Sequence, residues 1–185
     1  MKFKGSIIIT DPCYVAKGDD WEKCDYGGSM YDLGFTTVIS ESTIYGDWSC
    51  TTYKTDEDPR EVIRKIAELQ KQFDEEYNAL RGRGKISDDD LAALYDKFDG
   101  LQSNVISDEQ PIGRFCADAG MVCVLYLDEV LKYNPDFEEE YMSRDWVVTV
   151  IKDFDGEVEY IVDNNNEAHI IGTGNINFFT TQTGL

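Results

Sequence analysis

Three aspartates stand in settings where a carboxylate can do chemistry. Asp11 lies in Thr-Asp-Pro-Cys-Tyr, Asp47 in Tyr-Gly-Asp-Trp and Asp118 in Ala-Asp-Ala-Gly. Each ends a strand-like run at a turn, where an Asp side chain commonly accepts bonds from nearby backbone N–H groups. Gathered at one end of a sheet, the three could instead coordinate Mg²⁺, Mn²⁺ or Ca²⁺, or bind ligand hydroxyls. Their sequence neighbours complete a candidate ligand-binding set of Asp11, Tyr14, Tyr45, Asp47, Trp48, Arg114 and Asp118. No residue is assigned a catalytic role and no cofactor is expected; a divalent cation is the one ion this set would suit.

Other chemistry is poorly served. The chain has no P-loop, no dinucleotide-binding glycine motif, no Gly-x-Ser-x-Gly and no His-Glu-x-x-His. His169 is the only imidazole, and between Ala168 and Ile170 it reads as an ordinary strand histidine. The cysteines are 13, 24, 50, 116 and 123, odd in number and without a Cys-x-x-Cys pair. That pattern suits free thiols in a reducing cytoplasm better than a disulfide framework. Cys116 and Cys123 flank the Asp118 turn and could face each other, but zinc needs a second pair. Asp153-x-Asp155-Gly156 resembles the middle of a calcium loop; Ile151 at the first ligand position makes a tight hairpin the better reading.

The elements that must position these residues are legible from period. Residues 5–54 carry strand and turn signals, with Trp21 and Tyr26 as anchors of a Gly/Asp-rich loop. Gly46-Asp47 predicts a two-residue hairpin joining residues 36–45 to residues 48–54. At Asp58-Pro59-x-Glu61 the period becomes helical, with Asp as N-cap and Pro in the first turn. Val62, Ile66, Leu69, Phe73, Tyr77 and Leu80 form one face, and Glu61–Lys65 and Arg64–Glu68 offer i,i+4 pairs. A second helix starts at Ser87 and is expected to stop at Gly100. Residues 58–82 and 87–99 thus form an αα-hairpin, an insertion of about residues 58–100. Strand character returns at 113–116 and 121–127, an irregular acidic stretch covers 128–144, and a β-meander closes the chain with turns at Asp155-Gly156 and 164–166. The expected fold class is α+β: a mainly antiparallel sheet or small sandwich, in one β-rich domain over 1–185, with the helical hairpin inserted at one edge.

The charge excludes partners. With 37 acidic and 17 basic residues the formal net charge is −20, against nucleic acid and anionic membrane surfaces. No apolar run approaches a membrane span, and the start of the chain lacks a secretory h-region, so a cytoplasmic protein is expected. The acidity is uneven: residues 116–185 hold 14 acids and 3 bases, while the helical insertion is nearly balanced. Arg81, Arg83 and Lys85 are the only basic cluster, at the helix–helix turn. Glu138-Glu139-Glu140 is either a solvated face or a patch for a basic protein surface.

Asp11-Pro12-Cys13-Tyr14-Val15, Tyr45-Gly46-Asp47 and Asp118-Ala119-Gly120 together resemble an uncharacterised family of bacterial and phage proteins, a β-rich domain of unknown function. The resemblance covers residues 5–54 and 111–127. Trp48 and Ala117 depart from the family's small and β-branched residues at those positions. It implies a compact β fold and a phage or mobile-element origin, hence the host cytoplasm, but no activity. The expectation is a non-enzymatic acidic binding protein that inhibits or sequesters a host component, such as a defence protein or a small signalling ligand. The alternatives are a metal-dependent hydrolase using the clustered aspartates and a structural or virion component. The helical hairpin offers a route to a homo-oligomer.

Overall fold

The computed structural model describes residues 1–20, 30–40, 48–106 and 109–182. Eight antiparallel strands form one sheet: β1 (Lys2–Thr10), β2 (Thr37–Ile39), β3 (Trp48–Thr55), β4 (Gln110–Ala117), β5 (Cys123–Tyr126), β6 (Val148–Val162), β7 (Ala168–Gly174) and β8 (Asn177–Gln182). Their order is β2-β5-β1-β6-β7-β8-β3-β4. Two long helices, α1 (Pro59–Gly82) and α2 (Asp88–Val105), lie between β3 and β4 in the chain. A short α3 (Leu127–Tyr133) follows β5, and a π-helical turn occupies Glu138–Met142. The class is α+β with a mainly antiparallel sheet, as the alternating patterns imply.

The sheet curls until β4 packs across β6 and β1. Strand parity then sorts the apolar side chains. Ile7 and Ile9 of β1, Val124 of β5, Ile170 of β7 and Phe178 of β8 point into the enclosed core, with Phe115 and Phe154. Ile8, Cys123 and Leu125 point the other way, under a layer of Val15, Met30, Phe35, Val130 and Phe137. Strands β1 and β5 are therefore buried on both faces, which is why they read as unbroken apolar runs rather than alternating ones. Close approach inside the curl needs glycine: a Cβ on Gly113 would sit 2.5 Å from Thr149 Oγ1.

The helical hairpin forms for the reasons its sequence states. Asp58 accepts from Arg60 N and Ser87 accepts from Asp90 N, capping α1 and α2. Val62, Ile63 and Ile66 cover Ile171 and Phe179 on the outer face of β7 and β8. Further along, Phe73 of α1 meets Leu94 and Phe98 of α2. The hairpin is inserted between β3 and the edge strand β4 but packs over the middle of the sheet. Gly100 does not stop α2, which runs on to Val105 because Val105 and Ile106 return to the apolar cluster over β7 and β8. The expected i,i+4 pairs give way to Arg64–Glu61 and Lys65–Glu57, an i,i+3 pair and a link to the residue before the cap.

Two predicted hairpins are not the ones formed. Residues 37–39 pair with β5 at one edge, and residues 48–55 pair with β4 and β8 near the other, so they are not partners. The Gly46-Asp47 turn itself lies outside the described residues, as do Trp21, Cys24 and Tyr26. Likewise β4 and β5 flank the Asp118 turn without pairing. Asp155-Gly156 is not a turn but the middle of the 15-residue β6. The first part of β6 pairs with β1 and the second with β7. A bulge at Asp153 (φ 52°) bends the strand, and Gly156 lies so near β7 that a Cβ would be 2.3 Å from Thr173 O. The later turn, at residues 164–166, does join β6 to β7.

Candidate functional site

Asp11 ends β1, and Pro12 begins a 3₁₀ turn that carries Cys13 and Tyr14 over the sheet end. The Asp11 side chain is fully buried. One carboxylate oxygen accepts from Cys13 N at 2.8 Å and the other from Ala119 N at 2.7 Å. Asp11 thus locks the Asp-Pro-Cys-Tyr turn to the Asp118-Ala119-Gly120 turn. Burial pushes its pKa up, against the lowering effect of these N–H bonds, and the nearby Asp118 adds to the rise. Tyr14 Oη donates to Asp118 Oδ2, and burial and that bond raise the phenol pKa.

Of the predicted set, the structure brings Asp11, Tyr14 and Asp118 together. Arg114 is exposed on β4 opposite Thr51 and makes no ion pair with Asp118 among the described residues. Trp48 pairs through its backbone with Ala117, the residue before Asp118. Tyr45 and Asp47 lie outside the described residues. Cys123 does not turn toward Cys116; its thiol donates to Thr10 O at 3.4 Å. Cys116 instead lies near Cys13 and Cys50, and Cys50 is pushed up to about 12, chiefly by burial. All four described cysteines are free thiols, and burial keeps Cys13 and Cys50 protonated and so poorly nucleophilic.

The Asp118–Tyr14 pair continues into the surface of the Glu138–Met142 turn. The Tyr14 and Tyr141 rings meet edge to face at 5.5 Å. Tyr141 belongs to the π-helical turn, and Arg144 lies over its ring at 5.7 Å. Glu138, Glu139 and Glu140 are exposed on that turn, with Lys17 at 3.9 Å from Glu140. Asp145 follows, exposed, and Trp146 is 49% exposed. One face therefore carries Asp118, Tyr14, Tyr141 and the acidic turn, and Trp146 follows that turn in the chain. A shallow groove of about 360 Å³ opens elsewhere, between α3 and residues 33–35, lined by Phe35, Glu129, Lys132 and Tyr133.

The turn between β6 and β7 holds a cluster that sequence reasoning passed over. Asp163 Oδ1 accepts from Asn165 N at 2.8 Å and Glu167 N at 2.9 Å, closing the turn. Its Oδ2 lies 3.3 Å from His169 Nε2. Burial alone would raise Asp163; the His169 contact and the two backbone bonds outweigh it and hold the carboxyl below its usual range. Burial and the Asp163 charge push Glu167 up. Ligand-type atoms of Asp163, Glu167 and His169 all lie within 4.8 Å of one another. The signal that could have found them is Asp-x₃-Glu-x-His spanning an Asn-rich turn into a strand, a pattern without meaning until the turn is known.

Compared with protein-family models, curated proteins and solved structures, the chain matches none.

Proposed function

We propose that the chain is a non-catalytic binding protein that engages a basic surface on a partner protein through the face running from Asp118 and Tyr14 to the Glu138–Met142 turn and Trp146. The observation that carries this reading is Trp146, a large aromatic left 49% exposed shortly after an exposed acidic turn in the chain. Aromatic anchors ringed by charge are the usual source of binding energy at protein interfaces. An acidic rim adds on-rate and partner discrimination rather than bulk affinity. The motif resemblance makes an inhibitor of phage or mobile-element origin, acting on a host defence component, the preferred form of this reading. Against the hydrolase alternative, Asp11 is fully buried and each of its oxygens accepts a backbone N–H, so it serves as a locking group between two turns.

The test is an affinity pull-down from bacterial lysate with the wild type, Trp146→Ala, and a variant carrying Gln at 138, 139 and 140. A partner retained by the wild type, released by raising salt from about 0.05 to 0.5 M and lost with either variant supports the proposal. A partner that binds all three proteins equally at both salt concentrations rejects it.

A further inference from the structure

We propose that Asp163, Glu167 and His169 form a binding site for one divalent transition-metal cation, of the Zn²⁺ or Mn²⁺ class. His169 is 2% exposed, and its Nδ1 lies 2.8 Å from Thr180 O. A carbonyl only accepts, so Nδ1 carries the proton. In the neutral ring Nε2 then presents a lone pair, and what it faces, 3.3 Å away, is a carboxylate oxygen. Either a proton or a metal ion must therefore lie between these two buried atoms. A ring nitrogen donating to a backbone carbonyl while the other is aimed at carboxylates is the way proteins orient a metal-binding histidine.

A proton on Nε2 would satisfy Asp163 but leave Glu167 unanswered. The Glu167 carboxylate accepts no hydrogen bond among the described residues, although it is half-buried. The Asp163–His169 spacing also fits. Ligands about 2.1 Å from a metal lie about 3.0–3.4 Å apart at cis or tetrahedral positions, which spans the observed 3.3 Å. One nitrogen with two carboxylates favours Zn²⁺, Mn²⁺ or Fe²⁺ over Mg²⁺ or Ca²⁺, which take oxygen alone. The turn is already rigid, because Asp163 Oδ1 closes it and Asn165 Nδ2 donates to Ala67 O of α1 at 2.8 Å. A polar groove of about 410 Å³ lined by Arg64, Glu68, Lys71 and Asn164 adjoins the same turn.

The test uses the full chain stripped with EDTA and titrated calorimetrically with Zn²⁺, Mn²⁺ and Co²⁺, alongside Glu167→Gln. Gln keeps the size of the half-buried side chain and spares the turn-closing Asp163. The expected result is one ion per wild-type chain that is not thiol-dependent, a Tm rise of at least about 4 °C at a hundredfold excess over Kd, and at least tenfold weaker binding in the variant. Nitrogen-15 NMR of the single imidazole should show a proton on Nδ1 and none on Nε2 in the loaded protein. The proposal is overturned if the wild type binds none of the three ions, if Glu167→Gln binds them as well as the wild type does, or if His169 carries protons on both nitrogens with metal present.

Discussion

At the scale of single residues, Asp11 shows how a carboxylate can be essential without being a ligand. Each of its oxygens accepts one backbone N–H from a different turn. Asp11→Asn offers one acceptor and sets an NH₂ against the other donor, so urea melts should show a loss of about 1–3 kcal/mol. The pH dependence has a definite sign. Burial raises the Asp11 pKa in the folded state, so the native protein holds this proton more tightly than the unfolded chain does. Its contribution to stability is therefore fully present at pH values below the ordinary carboxylate pKa and is lost as pH rises through the folded value. Asn has no such slope, so the cost of Asp11→Asn should be larger near pH 4 than near pH 7. A cost that grows with pH would contradict the assignment. The Asp-Pro motif marked this residue from the start. The donors it serves were invisible, because Ala119 is 108 positions away in the chain.

At the scale of elements, local signals succeeded where structure is local. Both helix starts follow from their caps, and the face of α1 follows from its period. The glycine dipeptide signal at Asp155-Gly156 failed because β6 is shared by two neighbours. The glycine is needed there for close strand contact, not for a turn. Gly156→Ala should consequently destabilise by more than about 2 kcal/mol, since the clash is with β7 backbone that cannot swing away. Chemical denaturation of that variant checks the point; a neutral result would restore the turn reading. The helical hairpin is bound to the sheet at its base and to itself at its far end through Phe73, Leu94 and Phe98. Phe98→Ala should cost about 3–5 kcal/mol at that contact. Hydrogen exchange should then show α2 opening while β1 and β6 stay protected.

For the whole molecule, charge is the dominant property. A formal charge of −20 repels itself in the folded state, and most ion pairs that offset it are exposed and worth little. Raising NaCl from about 0.01 to 0.15 M shortens the Debye length from about 30 to 8 Å and should raise Tm measurably. A Tm that falls with salt would mean that attractive pairs outweigh the repulsion. No helix among the described residues is long and apolar enough to cross a membrane.

The sequence by itself determined what depends on neighbours in the chain: the α+β class, the helix caps, the amphipathic face of α1, the turn at residues 164–166 and the global acidity. These rest on period, capping chemistry and composition, which act over a few residues or over the sum of all of them. Only the tertiary structure decided which strands are partners, because antiparallel pairing of β1 with β5 or β6 joins residues more than a hundred positions apart. It also decided which carboxylates meet. Asp11 and Asp118 share one turn pair, Tyr14 extends that pair to the acidic face, and His169 looks at Asp163 rather than at solvent. A side chain's type and spacing are written in the sequence. The atom it faces is set by how the sheet curls, and the chemistry available to it follows from that facing atom.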